Sequence, residues 1–181
     1  AGIIKPTSHA ILGSPMGELE PIFAAEGPVA LWSAGEEFVV ESNELAGGGR
    51  VIDLVTPGAR YDQLFIPFHG AHQGDNLATG VAAVEAFFGR PAEQDLVEFA
   101  LATVELPARF EVVAHGPTII LDGAHNPPGA RAASATLREA FARLGSADWI
   151  TQTLLSFQMP PMLMLIMVLV LIFLLGWPFE W

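Results

Sequence analysis

"TIILDGAHNPPGA", residues 118–130, decides how this chain is read. The apolar run Ile119 to Leu121 ends in Asp122. Gly123 to Asn126 then lead into two prolines and an alanine-rich stretch. β-branched residues, a glycine-containing polar loop and Pro-Pro describe a strand, a loop and a helix start. That unit builds nucleotide sites in α/β proteins, where ligands settle beyond the carboxyl ends of strands. Asp122 stands at the strand end, where a carboxylate can accept hydrogen bonds from sugar hydroxyls. His125 and Asn126 precede the helix, whose freed first-turn amides favour an anion. Pro127 and Pro128 cost little there, because first-turn amides lack helical partners. A plainer reading makes Asn126 a cap for those orphan amides. Composition leaves both readings open.

Upstream, residues 1–70 read mainly as β. "GIIKP" and "HAILG" are short apolar runs, and "ELEPIFAAEG" is a brief helix ended by Gly27. "PVALWSA" and "EEFVVES" have the β-branched and aromatic content of strands. "LAGGGR" followed by "VIDLV" predicts a hairpin, and "DQLFIPF" one more strand. The glycine triple lacks the Lys-Ser/Thr ending of a phosphate loop, so a plain turn is the better reading. Over residues 73–89 the period becomes helical, with Leu77, Val81, Val84 and Phe88 on one face and Gly89 as the stop. "PAEQDLVEFALATV" predicts a second helix. "RFEVVAHGPTIILDGA" predicts two short strands around Gly116-Pro117, and "PPGARAASATLREAFARLG" a third helix ended by Gly145.

Acidic residues number 20 against 8 basic ones, a formal charge of −12. Phosphate-backbone binding needs a basic face, so nucleic acid is excluded as a partner. Cysteine is absent, which removes disulfides and thiolate metal sites. The N-terminus has one Lys and a short apolar stretch, so it does not read as a signal peptide. Without an initiator Met, the chain reads as beginning inside a longer protein. Apolar residues make up 51% of the 181, and mean hydropathy is +0.43. The apolar excess sits after residue 153. From Met159 to Phe179 no residue is charged. As one helix that run would span about 30 Å, the hydrocarbon thickness of a bilayer. Trp149, Trp177 and Trp181 flank it, as interfacial Trp do. The expectation is a membrane helix over 159–179. Arg138 and Arg143 before it and Glu180 after it put the N-terminal part in the cytoplasm.

Two other polar clusters stand out. In "FHGAHQGDNLATG", His69 and His72 are three apart, but no third ligand stands near enough in sequence to complete a metal site. The cluster reads better as a polar helix entry that presents Asn76 to a ligand. In "LPARFEVV", Arg109 lies between a helix and a strand and could clamp a phosphate. An exposed surface Arg is the alternative.

Taken together and in order, "AGIIKP" (1–6), "GAHQGDN" (70–76), "PARFEVV" (107–113) and "PTIILDGAHNPPGA" (117–130) resemble the folylpolyglutamate synthase/dihydrofolate synthase family, which is Mur-ligase-like. The resemblance covers residues 1–145. It implies a partial α/β fold: residues 1–115 as the β-rich end of an ATPase domain with its helices, and residues 116–147 as the first strand and helix of a Rossmann-like glutamate-ligase domain. Residues 148–181 add one hydrophobic helix. It also implies a cytoplasmic ligase that uses ATP and Mg²⁺ to join glutamate to a folate or dihydropteroate carboxyl group through an acyl phosphate. Asn76, Arg109, Asp122 and His125 would bind the ATP, His125 also serving catalysis.

Departures accompany the resemblance. The family's phosphate loop, its acidic and His ligands for Mg²⁺, and a Lys preceding "AGI" would lie upstream of Ala1. Ala108 stands where the family usually has Gly beside the Arg. The resemblance therefore implies a polypeptide inactive alone. The tail, residues 147–181, is similar over mostly apolar residues to a segment of the large membrane subunit of tripartite periplasmic transporters. That would make the chain a join of two unrelated pieces or a membrane-anchored remnant.

Overall fold

The computed structural model describes residues 3–14, 17–143 and 145–176. Strands β1 (His9–Leu12) and β2 (Ala30–Ser33) pair in parallel, His9 opposite Ala30 and Leu12 opposite Ser33. Parallel strands need a crossover, and this one carries a 3-10 turn (Gly17–Leu19) and helix α1 (Glu20–Ala25).

The predicted hairpin is present. β3 (Val39–Ala46) and β4 (Gly49–Val55) pair antiparallel with Ala46 opposite Gly49. Gly47 and Gly48 form the turn, and Gly48 takes φ +80, a conformation that favours glycine. β5 (Arg60–Ile66) pairs antiparallel with the other edge of β4. The core gathers on this sheet. Ile52, Leu54, Tyr61, Leu64 and Ile66 are buried in one cluster with Ala78, Val81 and Ala82 of α2 (His72–Phe88) and Leu101 of α3 (Gln94–Thr103).

The helical face predicted for α2 is corrected in part. Val81 is buried, but Val84 and Phe88 are 47% and 64% exposed. The buried stripe is Ala78, Val81, Ala82, Glu85 and Ala86. Small residues let the helix axis approach the sheet closely, so alanines win the inner face over larger side chains.

β6 (Glu111–His115) and β7 (Thr118–Leu121) form an antiparallel pair around the cis Gly116-Pro117 bond. The strand–loop–helix reading holds locally, with α4 (Pro127–Arg143) following β7. The chain divides into two units, residues 1–136 and 137–181. The second contains the end of α4, then α5 (Ser146–Ser156) and α6 (Pro161–Gly176).

The membrane helix expected over 159–179 needs correction. The apolar helix begins at Pro161 and is described to Gly176, 16 residues. Among the described residues no helix is long and apolar enough to cross a membrane. Pro160 and Pro161 set its start, because a proline ring disfavours helix in the residue before it. Residues 177–179 of the expected span, Trp177, Glu180 and Trp181 lie outside the described residues. The chain as described is mixed α/β, and the tail holds a second helix, α5, where one helix was expected.

Candidate functional site

The predicted ligand residues come from separate segments, and each is held by local hydrogen bonding. Gly70 turns the chain after β5 with φ +97. A Cβ there would stand 2.6 Å from Thr136 Oγ1 and 2.7 Å from His72 Nδ1, so glycine is needed for conformation and for space. The start of α2 is then tied to the sheet. Asn43 Nδ2 donates to Ala71 O at 2.8 Å. The Arg50 guanidinium, 4% exposed, donates to the Asn43 side chain and, at 2.8 Å, to its backbone carbonyl. Within α2, Asn76 Nδ2 donates to Gln73 Oε1 at 3.1 Å.

Arg109 sits between two residues in the left-handed region, Ala108 at φ +54 and Phe110 at φ +53. Phe110 is 8% exposed and meets the His69 ring edge-on at 6.1 Å. Its anchoring fixes the segment that carries the exposed guanidinium. Asp122 is a clasp: Oδ2 accepts the Phe110 N–H and Oδ1 accepts the Ala124 N–H, at 3.0 and 2.8 Å. Gly123 N–H donates to Ala108 O at 2.7 Å, closing the 108–110 segment onto the 122–124 loop.

His125 Nδ1 lies 2.9 Å from Gly123 O. A carbonyl oxygen carries no proton, so Nδ1 must supply it, and the neutral ring keeps Nε2 as an acceptor. Asn126 caps α4, its Oδ1 accepting the Gly129 N–H at 2.8 Å. This corrects the expectation of free first-turn amides. Pro127 and Pro128 have no N–H, Gly129 is capped, and Ala130 N–H already donates to Asn126 O at 2.9 Å. The start of α4 offers an anion no spare amide.

These segments enclose a polar hollow of about 180 Å³. Asn76, Arg109, Asp122 and His125 all line it, together with His72 and Gln73. The structure thus brings together every residue singled out as a nucleotide ligand. Gln73, Asn43 and Arg50 escaped the sequence reading. Gln73 sits inside "GAHQGDN" and could have been noticed at three residues from Asn76. Asn43 and Arg50 meet through strand register, which no short motif signals. A larger hollow of about 590 Å³ between α2 and α3 is mainly apolar, lined by residues such as Leu77, Val81, Leu96 and Leu101. Gln73 and Asn76 line both hollows. The smaller one holds Arg109, Asp122, His72 and His125. His69 packs on Phe110 while His72 lines the hollow, and among the described residues no group of three or more His, Cys, Asp or Glu could hold a metal ion.

No family model matches the chain. The dihydrofolate synthase/folylpolyglutamate synthase of Mycobacterium tuberculosis is 36% identical over 154 residues, covering 78% of this chain and 32% of that protein. The folylpolyglutamate synthase of Lacticaseibacillus casei is 26% identical over 149 residues, covering 79% of this chain and 35% of that protein. In fold, the chain is similar to Mycobacterium tuberculosis folylpolyglutamate synthase complexed with ADP, with a TM-score of 0.69 and 34% identity over 74% of this chain and 32% of that one. The chain therefore spans about a third of the length of these two relatives. The transporter resemblance of the tail finds no support among these relatives, all of which are folate-linked synthases. Sequence and fold together support placing the chain in the folylpolyglutamate synthase/dihydrofolate synthase family, as a segment of the Mur-ligase-like architecture.

Proposed function

We propose that this chain supplies one face of the ATP site of a cytoplasmic ligase that joins glutamate to a folate or dihydropteroate carboxyl group. The observation that carries the reading is the convergence of Asn76, Arg109, Asp122 and His125 on one hollow. In that reaction the substrate carboxylate attacks the terminal phosphorus of ATP, releasing ADP and forming an acyl phosphate. The glutamate amine then attacks the acyl carbon and phosphate leaves. Residues 1–115 would belong to the ATPase domain and 116–147 to the start of the glutamate-ligase domain, so the hollow is half of an interdomain site.

Each side chain has chemistry suited to a nucleotide. The Arg109 fork can pair two phosphate oxygens. Asp122 holds two amides, yet an ionised carboxylate has about four acceptor positions, which leaves room for ribose hydroxyls. His125 Nε2 can take a proton from a hydroxyl or, once charged, face a phosphate, and it is the catalytic candidate. The apolar flank beyond Asn76 can receive a purine face.

Magnesium does not fit this donor set. A hard divalent cation takes carboxylate and carbonyl oxygens, while the hollow has one carboxylate, Asp122, already holding two amides. The 181 residues also contain no Gly-rich loop ending in Lys-Ser/Thr, so product formation is not expected from them alone. The reading is tested by titrating the chain with ATP in a calorimeter. Arg109→Ala and His125→Ala should each weaken binding about tenfold, the loss of one charge-assisted contact. Equal affinity in wild type and both variants would end the reading.

A further inference from the structure

Helix α6 (Pro161–Gly176) has no charged residue, and its exposed apolar side chains are not scattered. Met162, Ile166 and Leu169 follow one another at spacings of four and three. Leu163, Val170 and Leu174 follow at spacings of seven and four. All six are 51–69% exposed, whereas Met164 and Val168, on the other side of the helix, are half-buried. Both rows keep the period of a coiled-coil seam. Single exposed apolar side chains need no explanation, but contiguous rows of them mark a surface that meets a partner. At roughly 100 Å² for each such side chain, the six offer on the order of 600 Å² per copy, close to the roughly 800 Å² per partner of a standard stable interface.

We infer that α6 assembles four copies of this chain, each α6 packing its two seams against the α6 helices of two other copies. The number of copies follows from the angle between the seams. Successive helical residues are turned by about 100°, so the centres of the two rows lie about 90° apart round the helix. A helix at the corner of a square meets its two neighbours in directions 90° apart. In a triangle the directions are 60° apart, and a dimer would cover one seam and leave the other in water. Each seam fits another of its kind, because all are uncharged and share one period and one length. Residues 146–176 contain one charged residue, Asp148, in a chain of formal charge −12. The acidic excess therefore lies outside the surfaces brought together, and like-charge repulsion does not oppose their contact. A bundle of four helices around such positions is a stable packing solution.

The test uses the full chain in detergent-free buffer at micromolar concentration, with mass read by sedimentation equilibrium. The wild type should give four times the chain mass of 19.3 kDa. Any other mass overturns the inference, and this measurement needs no variant. Ile166→Glu then charges the first seam and Val170→Glu the second. A charge buried in an apolar contact is strongly unfavourable, so each substitution should weaken association at least about a hundredfold. The mass of each variant should fall to two chains or fewer, with the far-ultraviolet circular dichroism of the wild type retained. A tetramer that survives both substitutions overturns the inference, since the copies would then meet through another surface. Phosphatidylcholine vesicles supply the last comparison. The wild type should stay in the supernatant as a tetramer when the vesicles are pelleted, and single chains pelleting with the lipid would overturn the inference in favour of a lipid surface.

Discussion

Asp122 Oδ2 accepts the backbone N–H of Phe110 at 3.0 Å. The residues lie on either side of the β6–β7 hairpin, so one carboxylate joins the segment that carries Arg109 to the loop that carries His125. The pairing was not part of the sequence reading, which gave Asp122 to a sugar. Both roles are compatible, because the amides occupy one acceptor position on each oxygen.

The clasp predicts that Asp122→Ala loses stability as well as nucleotide. Two amide bonds to an exposed carboxylate should be worth about 1–2 kcal/mol together. Urea denaturation would show a lowered midpoint with an unchanged slope. A variant as stable as the wild type would mean that the amides find water at no cost and that Asp122 does not hold the two segments together.

Asn126→Ala separates capping from ligand binding. Removal of the Gly129 N–H acceptor should cost about 1 kcal/mol, the usual effect of losing an N-cap. ATP affinity should remain within about twofold of the wild type, because no amide at the start of α4 is left for phosphate. A tenfold loss of ATP affinity at unchanged stability would reverse the assignment.

Ala108 occupies a left-handed conformation, φ +54. An L residue there costs roughly 1–2 kcal/mol, and glycine gives back part of that through its freer unfolded chain, about 0.5–1 kcal/mol. Ala108→Gly should therefore stabilise the chain by about 0.5–1 kcal/mol, seen as a rise of a few degrees in calorimetric Tm. A lower Tm would show that the backbone there relaxes around alanine without strain.

How much of this was legible varied with the range of the interaction. The β3–β4 hairpin was readable because its determinant, Gly47-Gly48 between apolar runs, is local. The β7–loop–α4 unit was readable for the same reason, whereas the set of polar residues that lines the hollow was assembled only through the family resemblance, because its members lie on separate segments. The inner face of α2 was misread because hydropathy favours Val84 and Phe88, whereas close packing on the sheet favours Ala78 and Ala82. The Arg50–Asn43–Ala71 tether joins residues far apart in sequence and has no local signature. In the tail, an uncharged run was taken as one span, although Pro160-Pro161 marked a break inside the apolar segment.

Tyr61 and Glu85 form the buried polar pair of the core. The Tyr61 hydroxyl donates to Glu85 Oε1 at 2.5 Å and accepts the Ala92 N–H at 3.0 Å. Glu85 Oε2 is buried with no partner among the described residues. Burial raises the Tyr61 pKa well above its ordinary value, and the adjoining Glu85 carboxylate raises it further. In the unfolded chain the phenol ionises near its ordinary pKa of about 10. Below that pH both states keep the proton and the stabilisation is fully present. Above it the unfolded state loses the proton first, so stability falls as pH rises, at up to about 1.4 kcal/mol per unit until the folded pKa is passed. Tyr61 is the chain's one tyrosine, so its ionisation can be read without interference. Tyrosinate absorbance should rise together with the loss of far-ultraviolet circular dichroism as pH increases. Tyr61→Phe should abolish that alkaline slope, and at neutral pH it should cost about 1–3 kcal/mol, since Glu85 loses its buried donor. Tyrosinate forming at the ordinary phenol pKa while the dichroism stays intact would show that the hydroxyl is open to solvent and that the pair does not exist in solution.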